Sequence, residues 1–158
     1  MSPGDVMTIC IVPVADLNPL ALQSLAMARS FSPKVIAVFV SDSTVEIDRM
    51  RRKWKMWGDH VPLEVIESPY RSVVRPILRY IDSIDRLRPD HTVVVVLPEM
   101  VATRWWHNLL HNQTALRLKA ALLFRPGTVV VNVPYHIRRH RRVGRRFRAG
   151  ADATLDDL

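Results

Sequence analysis

Residues 97–134 read LPEMVATRWWHNLLHNQTALRLKAALLFRPGTVVVNVP. An apolar strand ends at Leu97, and a polar, aromatic loop follows. A helix spanning Gln113 to Phe124 then begins behind Asn112, whose side chain suits an N-cap. Gly127 lies just past the helix end, where a left-handed residue is wanted, and Thr128 to Val133 forms a second run of β-branched residues. Strand, loop, helix and strand in this order form a βαβ unit of a parallel sheet. It leaves an irregular loop and a helix amino terminus at the carboxyl end of a strand, where open α/β sheets hold anionic ligands.

The same grammar runs back to the start of the chain. Met7 to Val14 is a continuous apolar strand, closed by Asp16 and Asn18. Asn18 caps a helix with Pro19 at its first position, which stops near Ser32 and Pro33. Lys34 to Val40 is a second strand, followed by the turn residues Ser41 and Asp42. Ser43 and Glu46 have capping-box spacing, Ile47, Met50, Trp54 and Trp57 recur at helical intervals, and Gly58 ends that helix. Trp54 and Trp57 read as core or interface residues.

Leu63 to Ile66 is a third, shorter strand. The next helix shows Ile77, Leu78, Ile81, Ile84 and Leu87 on one face, and Pro76 requires it to start between Ser72 and Arg75. Thr92 to Leu97 is the fourth strand and Thr128 to Val133 the fifth. Unbroken Val/Ile strands alternating with helices predict an α/β three-layer sandwich: a five-stranded parallel sheet, covered on both faces and doubly wound.

At 158 residues, with 48% hydrophobic and 24% charged residues, the chain suits one globular domain. We expect residues 1–137 to be that domain and residues 138–158 to be a disordered tail, basic and then acidic. Residues 136–158 hold seven arginines against three aspartates, a balance of +4 out of the total of +8. No run is long and apolar enough to span a bilayer, the first residues lack the charged start and apolar core of a signal peptide, and a cytoplasmic location is expected. Cys10, the single cysteine, lies within an apolar strand and reads as a core residue.

Carboxyl ends of parallel strands share one rim, which gathers the candidate ligand-binding residues. Val14, Ala15 and Asp16 follow the first strand, Ser41 and Asp42 the second, Ser68, Tyr70 and Arg71 the third, and Pro98 and Glu99 the fourth. His107, His111, Asn112, Gln113 and Thr114 complete the set. Such a mixture suits a nucleotide: Arg71 and the helix start for phosphate, a carboxylate for ribose, apolar walls for a base. Equally, Asp16, Asp42 and Asn112 serve as caps and turn formers in many folds without any ligand.

Other chemistries find no support. No glycine-rich phosphate loop follows the first strand. His107 and His111 have i, i+4 spacing but lack the glutamate of a helical zinc motif, so no metal is expected. There is no serine elbow and no Cys/His pairing, so neither a catalytic residue nor an enzyme is expected. The arginine tail could attract nucleic acid or lipid head groups by charge, but without any nucleic-acid-binding motif, and nucleic acid is not an expected partner.

The segments VPVADLNPLALQSLAMARS, VFVSDSTVEIDRMRRKW, VIESPYRSVVRPILRYID and HNQTALRLKAALLFRPGTVVVNVPYH together resemble the cytosolic C-terminal domain of bacterial permeases. These belong to the amino acid–polyamine–organocation superfamily, including its potassium-importing branch. The resemblance spans roughly residues 7–137 and is strongest in the last segment.

It implies a universal-stress-protein-like sandwich of the adenine nucleotide hydrolase type, a homodimer, and attachment in cis or trans to a transporter membrane domain at the inner face of the cell membrane. It also implies regulation by an adenine nucleotide, with cyclic di-AMP favoured and ATP or AMP as alternatives. Asp16 matches the aspartate that stress proteins carry after the first strand. The stress-protein phosphate sequence, Gly-x-x-Gly, nine residues, then Gly-Ser or Gly-Thr, is missing, since no glycine lies between Leu97 and Phe124. Side chains of His111, Asn112, Gln113 and Thr114 would have to replace it, which argues against ATP hydrolysis. The alternatives are a ligand-free dimerisation or docking module and a free-standing universal stress protein.

Overall fold

A computed structural model describes residues 7–69, 73–98 and 120–133. Five strands, β1 (Met7–Pro13), β2 (Val35–Ser41), β3 (Leu63–Glu67), β4 (His91–Pro98) and β5 (Thr128–Val133), alternate with helices α1 (Pro19–Phe31), α2 (Thr44–Trp57) and α3 (Val74–Leu87). Residues 120–123 are also helical. The strands form one sheet in the order β3-β2-β1-β4-β5, every neighbouring pair parallel. The expected five-stranded α/β sandwich is thus the observed one.

Alternation along each strand divides the core in two. Cys10, Val12, Val14, Ala37, Phe39, Val94 and Val96 face α1 and α2, meeting Leu25, Ile47, Met50 and Trp54. Ile9, Ile11, Val38, Val40, Val93, Val95 and Leu97 face the other way, onto Ile77, Ile81 and Ile84 of α3 and Leu122. Burying each such side chain stabilises by about 1.5–3 kcal/mol, so continuous Val/Ile strands make sense only between two helical layers. Cys10 is fully buried within this core, and burial pushes its thiol pKa up.

Local signals decide where elements begin. Asn18 Oδ1 accepts from Ala21 N at 2.8 Å, with Pro19 in the first turn of α1. Gly58 ends α2 at φ +102°, where an added Cβ would meet the His60 ring at 3.2 Å. Pro76 sits in the first turn of α3, as the sequence demands.

Strand ends differ from the apolar runs by a residue or so. β2 and β3 extend through Ser41 and Glu67 because these two pair across the ladder, and β4 includes His91 and Pro98 because they pair with Met7 and Val133. Parallel pairing, rather than hydropathy, sets the boundaries.

The capping box is also only half formed. Ser43 Oγ accepts from Glu46 N at 3.4 Å, but the Glu46 carboxylate accepts from Ser41 Oγ at 2.7 Å. Ser43 N donates to Ser41 Oγ instead. A hydroxyl from the end of β2 takes over the return arm of the box. Trp54 is buried as expected and donates its Nε1–H to Val61 O at 2.7 Å, while Trp57 packs edge-on against it, centroids 5.1 Å apart.

Candidate functional site

The strand order reverses between β1 and β4, and open α/β sheets favour ligand sites beyond the carboxyl ends of two such strands. The residues after β1 stand at that switch point. Val14 is buried in the α1/α2 core, with its N–H on Val38 O at 2.9 Å, and Ala15 is half-buried.

Asp16 points to the rim. Its Oδ1 accepts from Leu17 N at 2.8 Å and from Lys53 Nζ, on α2, at 2.7 Å. Partial burial pushes this carboxyl up, but the Lys53 and Leu17 donors and the charges of Lys53 and Arg49 outweigh it and hold the pKa below the usual carboxylate value. Lys53 was not among the residues expected from sequence. Nothing in the chain links a lysine in the middle of one helix with an aspartate before another.

At the end of β2, Ser41 is buried and occupied with the α2 cap, while Asp42 is exposed on the turn. Ser68, after β3, is buried, and its N–H reaches back to Ser41 O at 3.0 Å. Thus the backbone after β3 is tied at Ser68 to the end of β2 at Ser41, with Asp42 on the adjoining turn. Pro98 closes β4 beside Val133. Tyr70, Arg71, Glu99, His107, His111, Asn112, Gln113 and Thr114 lie outside the described residues, as do the arginine tail and residues 113–119 of the expected last helix.

The rim continues into a groove of about 580 Å³ lined by Ile66, Glu67, Ser68, Pro69, Arg75, Pro76, Arg79 and Tyr80. This lies within the volume range of small-molecule sites. Arg75 and Arg79 are one helical turn apart on α3, both exposed, and neither has an ion-pair partner among the described residues. Ile66, Pro69 and Pro76 supply apolar wall. Burial and the nearby Glu64 charge push the Tyr80 hydroxyl pKa up, so it stays a protonated donor.

Two guanidinium groups with no ion-pair partner among the described residues, beside an apolar wall and a hydroxyl, can take an anion joined to a flat, weakly polar body. Arg75, Arg79 and Tyr80 were missed in the sequence because charges on the outward side of an amphipathic helix look like a solvated face. Among the described residues no group of three or more His, Cys, Asp or Glu side chains is placed to hold a metal ion, and no helix is long and apolar enough to cross a membrane.

Residues 6–135 match the family model described as the KimA potassium transporter C-terminal domain. The chain belongs to that family. It is 31% identical over 134 residues to the potassium transporter KimA of Bacillus subtilis (strain 168), a match covering 84% of this chain and 22% of that protein. The chain therefore spans about a fifth of the length of this KimA relative. The region matched to the KimA C-terminal domain contains all five strands, both core layers, the Asp16–Lys53 pair and the arginine groove.

Proposed function

We propose that this chain acts as a non-catalytic, cytosolic regulatory domain of a potassium transporter, universal-stress-protein-like in kind. In this reading it binds an adenine nucleotide to control transport, with cyclic di-AMP favoured over ATP and AMP. The observation that carries the ligand is the groove with Arg75, Arg79 and Tyr80, continuous through Ser68 with the strand-end rim. Phosphate would sit on the two arginines and a base against Ile66, Pro69 and Pro76. Membership in the KimA C-terminal family supports the transporter context and a membrane domain as partner.

The partner within the assembly is a second copy of the chain. β5 is an edge strand, and Leu123, Phe124 and Val129 around it are 59%, 86% and 48% exposed. Unpaired strand edges beside apolar side chains favour pairing with another chain. A ligand-free dimerisation module is the second reading. It is favoured by the same edge and by Lys53 already occupying Asp16.

Calorimetry with cyclic di-AMP, ATP and AMP separates the two readings. Saturable binding, tightest for cyclic di-AMP, is expected. A flat trace with all three nucleotides leaves only the dimerisation module. Light scattering should report twice the mass of one chain, and a monomer at every concentration would remove the homodimer from both readings.

A further inference from the structure

α2 carries five basic residues between positions 49 and 55, and the nucleotide reading uses none of its outward face. Ile47, Met50 and Trp54 point into the core. Diametrically opposite lie Val45, Arg49, Arg52 and Met56, spaced by four, three and four residues. They form a single stripe about 16 Å long at 1.5 Å rise per residue. Val45 is 72% and Met56 87% exposed, although both are apolar. Arg49, Arg51, Arg52 and Lys55 are exposed, and none is in an ion pair among the described residues.

The negative charge on the helix is small. Of its two acids, Glu46 turns toward Ser41 and Asp48 lies beside the stripe, and Asp16, paired with Lys53, is the further carboxylate whose charge Arg49 feels. Lys53, on the flank, is tied to Asp16.

The geometry points to this outward face of α2 as a docking surface for an anionic phospholipid bilayer. Two arginines between two exposed apolar side chains match the layering of a bilayer surface. Guanidinium groups reach lipid phosphates, while Val45 and Met56 enter the acyl boundary. A duplex nucleic acid would use the cations but gain nothing from Met56. The family's place in a potassium transporter puts such a surface close at hand. In this arrangement the domain lies with α2 against the membrane and β5 free at the side of the sheet.

The test is flotation of the whole chain with vesicles of phosphatidylcholine containing about one-quarter phosphatidylglycerol, at about 0.1 M salt. Each arginine lost from such a surface weakens binding about fivefold, so Arg49→Gln with Arg52→Gln should weaken it roughly 25-fold. Met56→Ser should weaken binding severalfold without changing its salt dependence. Circular dichroism checks that the exposed substitutions leave the fold intact.

Three results would overturn the inference. The first is no binding by the parent chain, and the second is equal binding by the parent and the double-arginine variant, which would assign the effect to the tail. The third is a DNA duplex bound as tightly as the vesicles and weakened equally by the arginine variants but not by Met56→Ser.

Discussion

Removing the positive charge of the groove while keeping its shape tests the nucleotide reading directly. Arg75→Met and Arg79→Met retain a long apolar stem over the Pro76 and Tyr80 wall but delete the guanidinium. A hydrogen bond to a charged group contributes about 1.5–3 kcal/mol. Both arginines are exposed, so solvent and salt screening reduce this to about 1–1.5 kcal/mol, or roughly five- to tenfold in Kd for each variant. The side chains are one turn apart and would share one phosphate, so their effects should not multiply fully. The double variant should lose roughly 20–50-fold.

Neither arginine has an ion-pair partner among the described residues, so stability should stay within about 0.5 kcal/mol of the parent. The assay is calorimetry with cyclic di-AMP at two salt concentrations, with Arg86→Met as a control. Arg86 lies in the last turn of the same helix and does not line the groove. The double variant should also show a weaker salt dependence. Unchanged affinity in the double variant, or an equal loss in the control, would refute the assignment of phosphate to this groove.

Two further outcomes follow from the packing around α2. Trp54→Phe leaves the Val61 carbonyl without its indole donor and opens a small cavity in the α1/α2 core. Together these cost about 2–4 kcal/mol, seen as a lower urea midpoint with unchanged slope. A loss under about 1 kcal/mol would show that the bond is not needed to dock α2.

Lys53→Met removes the main partner of Asp16. Because the folded pKa of Asp16 is depressed, its contribution is complete above the ordinary carboxylate value of 3.8 and disappears as pH falls through the folded value. Both side chains are nearly half exposed, so the gap between parent and variant should be under about 1 kcal/mol at neutral pH. It should close on acidification, and a gap constant down to about pH 2 would contradict the pairing.

The layers were legible in the sequence because each depends on local pattern. Val35 to Val40 can only be a strand buried on both sides, and Asn18-Pro19 or Gly58 mark helix ends by their own conformational preferences. The strand order was not legible, since no local preference records that β1 lies between β2 and β4. The rim was readable as a set of strand ends, but the roles of its side chains were not. Ser41 reads as a turn hydroxyl and proves to complete the α2 cap; Asp16 reads as a rim carboxylate or a turn former and is found joined to Lys53. Both partnerships depend on how elements dock, and docking is a long-range property. The groove arginines escaped notice for the opposite reason, because an exposed charge on a helix needs no explanation until a cavity is found beside it.

The position of β1 has a consequence for how the chain comes to be folded. Its one edge pairs with β2, the next strand to be made, but its other edge pairs with β4, from Met7 beside His91 to Ile11 beside Val95. At synthesis rates of about 5–20 residues per second, this central strand waits several seconds with an apolar edge open. During that interval β1 through β3 form a half-sheet whose free side matches any extended Val/Ile segment nearby. On the ribosome, this domain is therefore most exposed to chaperones and to mispairing with a neighbouring nascent copy until β4 has emerged.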